Sequence, residues 1–232
     1  MDYKLRDYLT DKFSEFISEE RKQNIEEVLS NRTSFLTVVI EDLVDPHNVN
    51  AIFRTGECMG VQDFHVIDNE QYFHVGKGVS KGSTKWIDIH RHDQDDWRNT
   101  GRCITSLQEK GYQLVVTSPA AEAVSVEDID LSKPIALVLG NERDGVSEEM
   151  KTKADQLISI PTFGFTESFN VSVAGAILIH GLVKRIHKEV PNWHLENERI
   201  AQFKYEWYKK SMARPDFYYK FFVKAFESEQ NL

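Results

Sequence analysis

Three times in this chain a short, almost wholly apolar run breaks straight into a polar junction and then into a helical pattern. The first run, Leu36-Thr37-Val38-Val39-Ile40, passes through Asp45-Pro46-His47-Asn48 into a helix ending near Gly60. The second, Leu137-Val138-Leu139, breaks at Gly140-Asn141-Glu142 and re-enters helix after Gly145 and Ser147. The third, Leu157-Ile158-Ser159-Ile160, turns at Pro161 and Gly164, and Asn170 then caps an apolar helix from Val171 to about Ile186. Strands that are apolar at every position are buried on both faces, which means a mostly parallel sheet with helices on both sides. Such sheets hold ligands in the crevice at the carboxyl ends of their strands, so three polar junctions there point to one site.

The remaining chain continues the alternation and gives an α/β fold class. Strands are predicted at 36–40, 63–67, 86–90, 113–117, 135–139 and 157–160, helices at 48–59, 94–110, 147–154 and 170–186, and a Gly/Lys loop at 76–85. The first 30 residues read as helix, with Leu5, Tyr8, Leu9, Phe13, Phe16 and Ile17 at helical spacing and Ile25, Val28 and Leu29 continuing it. Pro191-Asn192 ends the last core helix, and an aromatic, basic helical tail follows. The expected organisation is an amino-terminal helical extension (1–33), an α/β domain (34–190) and a carboxyl-terminal helical extension (191–232). A length of 232 residues is sufficient for one such core with appendages.

Composition removes several function classes. Met1-Asp2-Tyr3-Lys4-Leu5 opens no apolar signal core, and no stretch nears the roughly 18 apolar residues of a membrane span, so a cytoplasmic, membrane-free protein is expected. Cys58 and Cys103 form no Cys-x-x-Cys pair and read as buried small apolar residues. The net charge of -9 opposes polyanion binding, but residues 184–224 carry ten basic and five acidic side chains, a local excess of +5 against -14 elsewhere. Neither a strand-linked Gly-x-Gly-x-x-Gly, nor a Walker loop, nor a Gly-x-Ser-x-Gly elbow is present. His90 and His92 alternate along a strand with Asp93, Asp95 and Asp96 nearby, yet no third ligand is spaced to complete a metal site, and none is expected.

Taken together and in order, the three junctions resemble the SpoU-type RNA ribose 2′-O-methyltransferases of the SPOUT superfamily, over residues 36 to about 186. Asn48 with Arg54 six residues later is similar to the first family motif, Gly140-Asn141-Glu142 with Gly145 to the second, and Ser168-Phe169-Asn170-Val171-Ser172 to the third. Within that family the chain looks most like the tRNA guanosine-18 branch. Arg21 to Leu29, His47-Asn48 and Lys81-Gly82-Ser83-Thr84-Lys85-Trp86 carry this closer likeness, with the short extensions at both ends. Phe169 stands where leucine is commoner and Asn50 where many members have glycine.

The resemblance implies S-adenosylmethionine as methyl donor, tRNA as substrate, an α/β knot with a deep carboxyl-terminal trefoil, and a homodimer. Ribosomal RNA, another tRNA nucleotide, or catalytically silent RNA binding are the alternatives. It also assigns roles. Arg54 is placed at the ribose hydroxyl, a surface ion pair with Glu57 or Glu142 being the rival reading. Asn48, Glu142, Ser168 and Asn170 would orient arginine, substrate and cofactor loop, and main chain at Thr117, Gly140, Ile160 and Phe169 would hold the adenosyl group. Arg21, Lys22, Arg32, Lys77, Lys81, Lys85, Lys209, Lys210 and Arg214 are candidates for RNA docking. The tail aromatics at 203, 207, 217, 221 and 222 suit core or dimer packing better than base stacking.

Overall fold

The computed structural model describes residues 1–69, 82–94, 98–119 and 122–230. Six strands form a parallel sheet: β1 (Leu36–Glu41), β2 (Asp63–Ile67), β3 (Asp88–His92), β4 (Gln113–Thr117), β5 (Ile135–Leu139) and β6 (Gln156–Ile158). Their spatial order is β3-β2-β1-β5-β4-β6, with Val38 opposite Phe64 on one side and Leu137 on the other. From β1 the chain moves outward to β2 and β3, whereas from β5 it moves past β4 to β6. The two directions diverge between β1 and β5, which opens a crevice at their carboxyl ends.

Both faces of the sheet are covered, which is why its central strands lack alternation. Leu36, Val38, Ile40, Phe64, Leu137 and Leu139 pack with α3 (Pro46–Cys58) and α6 (Val171–Glu189), through Ile52, Phe53, Leu178 and Leu182. Val39, Ile67, Leu114, Val116 and Val138 pack with α4 (Asn99–Glu109) and α5 (Glu148–Thr152), through Cys103, Leu107 and Met150. Deep burial pushes the Cys103 thiol up to about 12 and His65, beneath α4, down to about 3. Cys58, expected inside, is exposed, because it ends α3 on its outer side.

Boundaries differ from the sequence expectation where caps decide them. Asp45 accepts the His47 amide at 2.9 Å and Pro46 takes the first helical position, so α3 starts two residues early. The strand expected at 86–90 is β3 at Asp88–His92, in register with β2 from Asp63↔Asp88 to Ile67↔His92. The strand expected at 157–160 is shorter, and the last core helix ends three residues later, at Glu189. Gly76, Lys77 and Gly78, with Asp95 and Asp96, lie outside the described residues.

Residues 33–193 form one compact unit, and residues 1–32 with 194–232 form another. The second contains α1 (Tyr3–Ser14), α2 (Glu19–Ser30), α7 (Asn197–Ser211) and α8 (Pro215–Gln230). The single amino-terminal helical pattern is thus two helices, broken before Ser18, whose hydroxyl accepts the Arg21 amide. Phe13 stacks on Tyr205 at 5.8 Å, Phe16 meets Tyr218 at 4.4 Å, and Tyr8 meets Phe226 at 5.0 Å. Phe203, Trp207 and Phe222 are buried as expected, whereas Phe217 and Phe221 face outward on α8. Among the described residues no helix is long and apolar enough to cross a membrane.

Candidate active site

Each junction places its polar residue by a local device. Asn170 caps α6: its Oδ1 accepts the Ser172 amide at 2.9 Å, the Ser172 hydroxyl at 2.6 Å and the Val173 amide at 3.4 Å. That fixes the amide, because an oxygen committed to the helix amides turns Nδ2 away from them. Asn170 Nδ2 donates to Asn48 Oδ1 at 3.2 Å, and Asn48 Nδ2 donates in turn to Glu142 Oε1 at 2.5 Å. Three junctions separated by 94 and 122 residues of sequence, counted from Asn48, therefore meet in one directed relay ending on a carboxylate.

The loop carrying Glu142 is held from both ends. Asn141 and Gly145 exchange two backbone hydrogen bonds of 2.9 Å, and Asn141 Nδ2 donates to the Asp42 carbonyl at 2.8 Å. Gly145 has φ +71°, and a Cβ on Gly140 would lie 2.3 Å from the Gly145 carbonyl carbon. Glycine at 140 is thus required by the loop's own backbone.

Arg54 is exposed on α3 and has no hydrogen-bond or ion-pair partner among the described residues, so neither Glu57 nor Glu142 neutralises it. Six residues beyond Asn48 it lies about 9 Å along the helix and roughly 240° around it. No hydrogen bond joins Arg54 to the relay. Ser168 is exposed and, among the described residues, likewise unbonded.

Thr117, Gly140 and Ile160 stand at or just beyond the carboxyl ends of β4, β5 and β6, which β4 brings together as the middle strand. Thr117 Oγ1 donates to the Val138 carbonyl at 2.9 Å, so its side chain is tied into the sheet. Ile160 packs on the core, and residues 161–170, including Phe169, are exposed above it.

The RNA candidates separate by environment. Lys85, Lys210 and Arg214 are exposed, Lys85 lying over Trp86 at 4.6 Å. Lys22 pairs with Glu19 and Lys209 with Asp216, while Arg21 Nε reaches Ser211 at 3.4 Å. Arg32 is a correction: it is 1% exposed and lies against the Trp207 ring at 5.4 Å, which removes it from the surface. Lys81 lies outside the described residues.

Sequence reading missed Glu41, the last residue of β1. It is 1% exposed and accepts hydrogen bonds from Thr100 Oγ1 (2.7 Å), Ser147 N (2.8 Å) and Ser147 Oγ (2.8 Å). It also missed Asp42, at φ +50°, whose carboxylate receives the Asn69 amide at 2.7 Å. The available signal was an acidic pair directly ending an apolar run.

A family model described as the SpoU rRNA Methylase family matches residues 35–180. A tRNA (guanosine(18)-2′-O)-methyltransferase of Borreliella burgdorferi is 33% identical over 204 residues, 88% of this chain and 91% of its own. The enzyme of the same description from Thermus thermophilus is 35% identical over 162 residues, 70% of this chain and 81% of its own. The solved structure of the A. aeolicus TrmH/SpoU tRNA modifying enzyme superposes with a TM-score of 0.72 at 30% identity, covering 84% of this chain and 98% of that one. An AdoMet-bound rRNA methyltransferase from Sinorhizobium meliloti superposes with a TM-score of 0.55 at 27% identity, covering 68% and 58%.

Proposed function

The chain belongs to the SpoU methylase family, and on that premise we propose that it methylates the ribose 2′-hydroxyl of guanosine 18 in tRNA, using S-adenosylmethionine. The observation that carries this reading is the relay Asn170–Asn48–Glu142, which unites all three family motifs at the β1/β5 crevice.

The reaction would be an in-line displacement at the ribose oxygen, with the leaving group departing as a neutral thioether and the hydroxyl proton passing to solvent. When bound, the sulfonium supplies the electrophilic methyl. The chain's own task is alignment, charge stabilisation and proton handling. Glu142 spends one carboxylate oxygen on Asn48, leaving the other to accept a hydrogen bond from substrate. Asn48 and Asn170 keep that carboxylate in register with the start of α6. Arg54 acts by charge. A guanidinium, with a pKa above about 12, is a poor proton acceptor but a good clamp for a phosphate or a forming alkoxide. Ser168 lies two residues before the relay and contacts substrate or cofactor loop.

Main chain at Thr117, Gly140, Ile160 and Phe169 suits an adenosyl group, since adjacent strand ends offer amides and carbonyls in a row beneath the exposed 161–170 segment. The knot of the family is part of this reading. So is a homodimer: Val173 and Ile177, spaced by four on α6, are exposed apolar residues, and Phe169 is exposed just before the helix cap. Lys85, Lys209, Lys210 and Arg214 are the basic residues for RNA.

Transfer of radiolabelled methyl to unmodified tRNA and to ribosomal RNA, with nuclease mapping, tests the reaction. Label on a D-loop guanosine ribose is expected. Label on ribosomal RNA would replace the substrate, and no label despite cofactor binding would indicate a silent RNA-binding protein. Light scattering of the native chain and of Ile177→Glu tests the dimer, which the charge should dissociate.

A further inference from the structure

Beneath α4, on the sheet face opposite α3 and α6, lies a side-chain cluster that methyl transfer does not use. His65 of β2, His92 of the edge strand β3 and Cys103 of α4 each present one donor atom, all within 4.8 Å of one another. His65 Nδ1 and His92 Nε2 are 3.0 Å apart, and the two rings stack at 5.3 Å and 15°. His65 and Cys103 are buried and His92 is half-buried.

Two imidazole nitrogens bound at about 2.0–2.1 Å to one tetrahedral ion stand about 3.3 Å apart, close to the separation already present, and a thiolate sulfur at about 2.3 Å completes a familiar donor set. Sequence spacing hides the set, because the strand histidines lack a third ligand until the fold brings Cys103 down from α4 and His65 in from the neighbouring strand. A second neighbour is already committed: His90, stacked on His65 at 4.7 Å, turns its Nε2 to Asp63 at 2.9 Å.

We propose that His65, His92 and Cys103 form a structural zinc(II) site that ties the edge strand β3 and helix α4 to β2. Two nitrogens and a sulfur select zinc over magnesium or calcium, which demand oxygen ligands. On binding, the thiol gives up its proton to solvent and the sulfur bonds the ion. The proton now shared between His65 Nδ1 and His92 Nε2 leaves that ring nitrogen, and the far nitrogen of the same ring gains one, so both imidazoles stay neutral. The net change is one ion bound and one proton released. The site is independent of the methyltransferase reading.

The test uses the full-length protein, stripped of metal with a chelator and then given zinc(II). One ion per chain should survive dialysis, and a weakly buffered titration should release one proton per ion. At free zinc roughly 100-fold above Kd the thermal midpoint should rise by about 5–10 °C. Cobalt(II) in its place should show thiolate-to-metal charge-transfer absorption. Cys103→Ser should abolish that absorption, and His92→Gln should weaken zinc binding by roughly tenfold or more. Should Cys103→Ser fail to fold, the native cobalt spectrum and His92→Gln decide between them. Absence of retained zinc in the native chain, or equal affinity in His92→Gln, would overturn the proposal.

Discussion

Glu41 ends β1 and Glu142 follows the adjacent strand β5 by three residues, yet the two carboxylates live in opposite environments. Glu41 is buried and accepts three hydrogen bonds from Thr100 and Ser147, in the first turn of α4 and at the cap of α5. Glu142 is exposed and, among the described residues, accepts one, from a side chain that is itself oriented by Asn170. A satisfied, buried carboxylate fixes helices to a sheet. One with spare acceptor capacity at a solvent-facing crevice can receive a substrate. Position at a strand end makes a polar residue a candidate, and its unused hydrogen-bonding capacity distinguishes chemistry from architecture.

The comparison can be sharpened first with Arg54, which has no hydrogen-bond or ion-pair partner among the described residues. Arg54→Ala should lower kcat/KM for tRNA at least about 10³-fold, roughly 4 kcal/mol, with cofactor binding and thermal midpoint nearly unchanged. Near-normal turnover with lost cofactor binding would refute its role. Glu41→Ala should destabilise by about 3 kcal/mol in urea titration, because it strands the buried Thr100 hydroxyl and two half-buried donors on Ser147. A stability change under about 0.5 kcal/mol there would break the contrast. Glu142→Ala inverts the pattern, with stability held within about 0.5 kcal/mol and turnover reduced by roughly 10- to 100-fold. Asn170→Ala removes a cap worth about 1 kcal/mol and frees Asn48 from its orientation, so a small stability loss should accompany a turnover loss.

The smallest effect belongs to the helical unit, where titration bears on stability alone. Burial pushes the Tyr205 phenol up to about 12. The folded state therefore resists its ionisation: the contribution is complete below pH 10 and is lost as pH rises through 12. Chemical denaturation of the native chain should weaken over that window, and Tyr205→Phe should flatten the slope.

Legibility followed the range of the cause. Asn170 as a cap is dictated within a few residues and could be read directly, whereas the left-handed turn at Gly145 emerged only with the backbone. Helix limits set by Asp45 and Ser18 were also local, but their capping geometry depends on backbone angles that residue patterns only suggest. Arg32, by contrast, looked like any flanking arginine until Trp207, 175 positions away, covered it. Phe217 and Phe221 carry the same helical spacing as Phe222, and only packing decides which of them is buried.

The sequence by itself determined the α/β class, the three polar junctions and their kinship, because strand burial, caps and turns are written in neighbouring residues. Only the tertiary structure decided that Asn48, Glu142 and Asn170 form one relay, that Glu41 belongs to the framework, and that His65, His92 and Cys103 converge. Those contacts join residues far apart in the chain, and their geometry is set by strand order and helix packing rather than by any local preference.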